Sequence, residues 1–223
     1  MARNTTPRKQ TLTYYFSVEG STEKWYLEWL EAQINALDEV KFKVSFKVEV
    51  QKNPVSYGKK LTIREKTTVW HLSDIEGSSE DQIRAVEGTL SRLKDTKKLG
   101  RDIVYKWGYS NLSFDLWMIL HKQKCNAELN CVDSYLSHIN RAFDTQFESM
   151  KKYKEEANFK YCLGKLSFQE VLAALSRAKE IMRRNERDGY QLTRSKGYAY
   201  YIHNPSLDLW QPIETILRDC GLL

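Results

Sequence analysis

The stretch Thr11–Leu30, TLTYYFSVEGSTEKWYLEWL, constrains the rest of the chain most strongly. Its first part, Leu12 to Val18, is apolar, aromatic and β-branched, the composition of a buried strand. The chain turns at Glu19-Gly20. It then places Tyr26, Leu30, Ile34 and Leu37 at spacings of four and three, one face of an amphipathic helix. Ser21 or Thr22 is the expected N-cap, and Glu23 in the first turn suits the positive end of the helix dipole. A carboxylate, Glu19, is thereby left beside a glycine at the C-terminal tip of a strand. In open α/β sheets that edge is where ligands bind.

The remaining pattern extends this start into a sheet. In KFKVSFKVEV, residues 41–50, Phe42, Val44, Phe46, Val48 and Val50 alternate with Lys41, Lys43, Ser45, Lys47 and Glu49. That is a half-exposed strand with a basic outer face, at or near a sheet edge. QKNPVSYGKK, residues 51–60, reads as a loop from its Asn-Pro and glycine. Thr67 to Gly77, TTVWHLSDIEG, is strand-like through Leu72 and ends in acid and glycine. Ser79-Glu80-Asp81-Gln82 fits a capping box ahead of the helical stripe Ile83, Val86, Leu90 and Leu93. DIVYKW, 102–107, is a fourth strand, which Gly108 breaks. YSNLSFDLWMILHK, 109–122, fits a buried strand or a helix, and periodicity does not choose between them.

From about residue 131 the pattern is helical. Val132, Tyr135, Leu136, Ile139 and Phe143 share one face; Ser167-x-x-Glu170 caps a second helix bearing Val171, Ala174, Leu175, Ala178 and Met182. Between them KKYKEEANFKY reads as a loop or a solvated helix, and Asn204-Pro205 as the start of a short last helix. The β-α-β-β-α-β order favours a mainly parallel sheet covered by helices.

Hydrophobic residues at 41% and aromatics at 12% suffice for a core in this 223-residue chain, which excludes a disordered one. The net charge of +6 permits a polyanionic partner without demanding one. Cys125, Cys131, Cys162 and Cys220 form no C-x-x-C pair, which argues against a zinc knuckle or a thioredoxin motif. They are expected to be reduced thiols in a cytoplasmic protein. MARNTTPRKQ lacks the apolar core of a signal peptide, and no uncharged run approaches the ~20 residues that span a bilayer. No membrane association is expected. The absence of a phosphate-cradling glycine loop disfavours an ATPase.

Glu19, Asp74 and Glu76 share one context, each following an apolar run and lying beside or near a glycine. If the two runs are parallel neighbours ~4.8 Å apart, their tips meet on one edge. In an extended segment Asp74 and Glu76 point to the same side and Ile75 away. Three such acids repel one another, and Mg²⁺ or Mn²⁺, which favour hard oxygen ligands, removes that repulsion. Acidic turn residues or helix caps account for the same acids without a metal.

Glu-Gly after a first strand, followed by a helix and then by Asp-x-acid after a later strand, resembles the Toprim pattern. In order, VEGSTEKWYLEWL, SDIEG, SNLSFDLWMILHK and YIHNPSLDLWQPIETIL resemble the blocks of RloB-like proteins, from about residue 12 to residue 218. Here Leu112 stands where that family usually has proline, Asp115 where it has glutamate, and Asp74-Ile75-Glu76 where it has Asp-x-Asp. The resemblance implies a Toprim-like α/β core over residues 11–125 behind a flexible arm, residues 1–10. A mainly helical part, 126–223, would pack on that core as one compact unit. It also implies a divalent-metal phosphoryl-transfer site. Glu19 would bind metal or act as general base, Asp74 and Glu76 would hold Mg²⁺, and Asp115 would be a fourth acid in the first turn of a helix near Asn111 and Ser113. RloB-like proteins are encoded beside an ATPase in bacterial phage-defence systems, where they look like the nuclease effector.

Glu23 and His121 are further candidates for the surroundings of such a site, each weighed against a purely structural role. Arg183, Arg184, Arg187, Arg194 and Lys196 are interleaved with tyrosines, Tyr198 among them. Such a mixture suits single-stranded nucleic acid, a partner ATPase, or simply a solvated loop. The expected function is a Mg²⁺-dependent nuclease acting on DNA or RNA, including tRNA. The alternative is a non-catalytic interaction or sensor subunit of the same fold. A homo-oligomer is compatible with either.

Overall fold

The computed structural model describes residues 9–63 and 65–223. Most of the expected N-terminal arm lies outside the described residues. Its last two residues are tied down: Lys9 Nζ donates to the Asp38 carbonyl, and Lys43 N–H to the Gln10 carbonyl.

Four strands run parallel: β1 (Thr11–Val18), β2 (Lys43–Val50), β3 (Thr67–Ile75) and β4 (Ile103–Asn111). A two-residue strand, β7 (Ser206–Leu207), pairs antiparallel with the end of β4, so the sheet order is β2-β1-β3-β4-β7. The alternating strand β2 is therefore an edge, as its lysines suggest. Both faces of the centre are covered, as a parallel sheet requires. Along β3, Trp70 and Leu72 enter one core while Val69 and Ile75 enter the other.

The first core lies under α1 (Ser21–Ala36) and α4 (Asp115–Lys122). It continues through α5 (Tyr135–Phe143), α6 (Met150–Tyr153), α7 (Glu156–Gly164), α8 (Phe168–Arg187) and α9 (Trp210–Asp219). Trp117, Tyr26 and Phe159 sit at its centre with next to no solvent access. The second core lies under α2 (Pro54–Lys60), α3 (Glu80–Asp95) and a hairpin of β5 (Leu192–Ser195) and β6 (Tyr198–Tyr201). The architecture is the expected mainly parallel sheet flanked by helices with a helical C-terminal part, and it is consistent with a Toprim-like fold. Among the described residues no helix is long and apolar enough to cross a membrane. All four cysteines are free.

Several local expectations change. The segment after β2 is a helix, α2: Asn53 caps it by accepting from Val55 N–H, and Pro54 occupies its first turn. Gly108 does not break β4 but lies inside it, because a Cβ there would stand 2.9 Å from a Leu72 methyl and 3.1 Å from the Leu209 Cα. Residues 109–122 are both alternatives in turn, strand to Asn111 and helix from Asp115. The region after 131 is not purely helical, since it contains β5, β6 and β7. KKYKEEANFKY spans parts of α6 and α7. The last helix begins at Trp210, not at Asn204-Pro205. The capping boxes at Ser79 and Ser167 are both present.

Candidate active site

Parallel pairing brings the C-terminal ends of β1, β3 and β4 to one edge, with Val18 opposite Leu72 and Ile75 opposite Asn111. Glu19 follows β1 directly. The Asp74 N–H donates to Glu19 Oε2 at 3.2 Å, so the first acid is anchored on the backbone of the second. β3 runs three residues beyond the apolar run, to Ile75. Asp74 is thus inside the strand on the α1 and α4 side, while Glu76 lies beyond its end and is exposed.

Neither Ser21 nor Thr22 caps α1; Gly20 occupies that position with no side-chain bond. The Thr22 hydroxyl instead donates to Glu23 Oε2 at 2.8 Å. The Glu23 carboxylate folds back over Gly20, where a Cβ would stand 3.0 Å from Oε2. The Glu-Gly pair therefore serves two acids: it ends a strand with Glu19 and leaves room for Glu23. Glu23 is only 4% exposed.

From β4 the chain enters α4, whose first residue is the fully buried Asp115. Ser113 Oγ–H donates to Asp115 Oδ2 at 2.7 Å, and Lys154 Nζ pairs with the same oxygen at 2.8 Å. Asp115 Oδ1 is buried without a partner among the described residues. Asn111 faces the other way: its amide donates to the Ile202 carbonyl at 2.6 Å and so ties the end of β4 to the chain after β6.

The electrostatics follow from this crowding. Burial raises the Asp74 carboxyl well above the usual range, and the charges of Glu23, Glu19 and Asp115 push it further. Burial also raises Glu23, against the bonds from its own backbone and from Thr22. Glu19 is raised by burial and held back by the Asp74 N–H and by Lys52. Burial works against the Lys154 charge, but Asp115, Asp74 and Glu23 hold its pKa above the ordinary lysine value. Among the described residues, four acids and one lysine therefore share the edge on the α1 and α4 side.

Glu76 acts on the Glu19 carboxyl and lines one cavity with Glu19 and Asp74. The acid whose charge acts most on Asp74 is the buried Glu23, whereas Glu76 is exposed. Among the described residues, no group of three or more His, Cys, Asp or Glu side chains stands as a ready-made ligand set. The donors are nevertheless hard carboxylate oxygens in excess of cations, and one of them is an unsatisfied buried atom. That chemistry fits a divalent cation.

His121 lies apart from these acids. Its Nδ1 bonds the Trp117 carbonyl at 2.9 Å and its Nε2 the Tyr26 hydroxyl at 3.2 Å, and burial lowers its pKa to about 4. It is a neutral core residue. The basic and aromatic cluster is also divided. Arg183, Arg184 and Arg187 line one cavity with Asn126, whereas Lys196 and Tyr198 line another against Leu93 and Tyr105. Arg194 lies in β5, and the Tyr198 hydroxyl donates to the Tyr105 carbonyl.

The profile of one protein family, described as RloB-like protein, matches residues 14–216, nearly the whole chain. The chain belongs to the RloB-like family. No curated protein and no solved structure matches it. In this RloB-like chain the matched span contains every acid of the edge and also Lys154, Lys52 and Arg92, three cations that no sequence pattern singled out. Lys154 sits 39 residues beyond its partner Asp115, in a segment whose charges read as solvated.

Proposed function

We propose that this protein is a Mg²⁺- or Mn²⁺-dependent nuclease, the effector of a bacterial phage-defence system working with a partner ATPase in the cytoplasm. The observation that carries the reading is the gathering of Glu19, Glu23, Asp74 and Asp115 on one sheet edge with Lys154 among them. Glu19, Asp74 and Glu76 would hold the cation, with the free Oδ1 of Asp115 and the Glu23 carboxylate beside them. A bound divalent ion supplies an activated water and offsets charge on a scissile phosphate. The chain's own groups do the rest. As an alternative to holding the ion, Glu19, whose carboxyl burial raises above the ordinary range, would take a proton at one of its oxygens as general base. The Asp74 N–H fixes where that carboxylate stands, and Lys154 holds Asp115 in place at 2.8 Å.

The test is incubation with Mg²⁺ or Mn²⁺ and a panel of single- and double-stranded DNA, RNA and tRNA, with and without the neighbouring ATPase. Wild type should cut at least one substrate, and Glu19→Gln and Asp74→Asn should not. Equal cutting by the variants, or none by wild type with the ATPase present, sinks the proposal.

One observation favours the second reading, a non-catalytic sensor or interaction subunit. Lys154 already compensates Asp115 at 2.8 Å, as a built-in counter-ion would. A thermal melt separates the two: saturating Mg²⁺ raises the melting temperature of a metal enzyme and leaves that of an internally compensated subunit unchanged.

A further inference from the structure

On the α3 side of the acid edge lies a cavity of about 340 Å³. Glu19, Asp74 and Glu76 line it, and so do three cations, Lys52 just beyond β2 and Arg84 and Arg92 on α3. Lys52 and Arg92 are exposed, and both are near enough to act on the Glu19 carboxyl. Neither forms an ion pair with a carboxylate among the described residues, whereas the third lining cation, Arg84, pairs with Asp81 and Glu80. The Arg92 guanidinium donates a side-chain hydrogen bond to Thr89 Oγ1 at 3.2 Å. Lys52 and Arg92 thus keep their charge available beside three acids instead of neutralising them in close pairs.

A second observation concerns the wall of this cavity. Gly88 lies within α3, where glycine costs stability relative to alanine. Nothing in the fold demands it. A Cβ at that position would meet only the Arg92 guanidinium, at 3.8 and 3.9 Å, which is ordinary contact. What the missing side chain preserves is open space in front of that guanidinium.

We propose that Lys52 and Arg92 grip one phosphate of a nucleic-acid strand in this cavity, next to the acid edge, and that Gly88 keeps the space clear for it. The inference rests on the nuclease reading for its choice of ligand, but the binding it predicts does not require cleavage. A polyanion brought to a carboxylate edge needs fixed positive charge beside it. A guanidinium offers a phosphate two parallel N–H bonds, and an ammonium adds a point charge.

The test is fluorescence anisotropy with labelled single-stranded DNA and RNA oligonucleotides in Ca²⁺, over a series of salt concentrations. Arg92→Ala and Lys52→Ala should each weaken binding by about five- to tenfold and lower the salt slope by about 1. Gly88→Leu, which fills the space without touching charge, should weaken binding comparably while its circular dichroism and melting stay near wild type. Lys41→Ala, a charge removed at an exposed site just before β2, at the opposite end of the sheet, should leave binding unchanged. Unaltered binding by Arg92→Ala and Gly88→Leu overturns the inference. So does a wild type that binds neither oligonucleotide, or that binds free ATP while excluding both.

The two readings fail separately. If wild type cuts nucleic acid and the Arg92 and Gly88 variants bind and cut as well as it does, this inference falls and the nuclease stands. If wild type binds, Arg92→Ala does not, and no condition gives cleavage, the nuclease falls and the phosphate grip stands.

Discussion

Replacing Glu23 by glutamine should make the metal-free protein more stable while weakening its response to metal. Glu23 is 4% exposed, and burial is the largest influence on its carboxyl, with the charges of Glu19 and Asp115 adding to it. An amide of the same shape keeps the packing over Gly20 and removes the charge. Two losses oppose the gain. The Thr22 bond loses its charge assistance, about 1 kcal/mol, and the N-terminus of α1 loses a favourable anion, roughly 0.3–1 kcal/mol. Against them, each pH unit by which the fold lifts this carboxyl costs about 1.4 kcal/mol at neutral pH. The carboxyl is raised in spite of those bonds, so the penalty of burying the charge outweighs what they return.

A raised carboxyl costs nothing below its unfolded pKa of 4.5, and its cost grows until pH passes the folded value. The variant should therefore melt above wild type at mildly alkaline pH in EDTA, by roughly 2–4 °C for each kcal/mol recovered, and the gap should close near the unfolded pKa. Saturating Mg²⁺ should reverse the order. Binding at one hundred times Kd stabilises wild type by about 2.7 kcal/mol, and a variant short of one carboxylate gains less. Scanning calorimetry of both proteins under the three conditions decides. A variant that melts below wild type in alkaline EDTA refutes the dominance of burial at Glu23. Equal metal shifts in both refute its membership of the site.

Gly20→Ala places a methyl 3.0 Å from Glu23 Oε2 in a backbone conformation that alanine tolerates, so activity should fall at least about tenfold while the melting temperature moves little; steady-state rates and a melt check both. Lys154→Met leaves Asp115 buried with no counter-ion and should destabilise the metal-free protein by about 1–3 kcal/mol in urea titrations, a loss that Mg²⁺ partly restores. His121 has its pKa lowered to about 4, so its stabilisation is complete above its unfolded pKa of 6.5 and is lost as pH falls through that value. Wild type should lose about 2 kcal/mol more than His121→Phe between neutrality and pH ~5, measured by urea unfolding at each pH. Trp117→Ala, at a position with no solvent access in the centre of the larger core, should cost about 3–5 kcal/mol by the same titration.

The fold was legible wherever local pattern and tertiary environment agree. β2 alternates because one face is buried and it is an edge, and α3 carries both its capping box and its stripe. The misreadings have specific causes. Asn53-Pro54 resembles a turn signal but is a cap followed by a first-turn proline. The β5–β6 hairpin escaped because Lys196 takes the left-handed position (φ 53) that asparagine or aspartate usually marks in a two-residue turn. At the edge, Glu19 and Asp74 were readable because each sits where an apolar run meets an acid, whereas Asp115 was readable only through the resemblance to RloB-like blocks. Glu23 looked like a dipole residue, since nothing local reveals that Gly20 opens a place for its carboxylate. Lys154 was not readable, because its meaning depends on a contact with Asp115 that only the folded chain creates.

The balance of charge at this edge speaks for a ligand. Glu19, Glu23, Asp74 and Asp115 face Lys154, and that lysine and Ser113 both engage Asp115 Oδ2 while Oδ1 has no partner among the described residues. A carboxylate kept only to tie α4 to the chain after α6 would use both oxygens, because a buried unsatisfied acceptor costs about 1–3 kcal/mol. Asp74 could equally have been the serine or threonine that suits a strand interior. Its carboxyl is instead held against three others, and its N–H fixes Glu19. Such repulsion is relieved by protons or by a cation, and the two differ in what happens as pH rises. Proton relief vanishes and the fold weakens; cation relief strengthens as the acids ionise. A metal-induced melting shift that grows with pH follows from the second and not from the first.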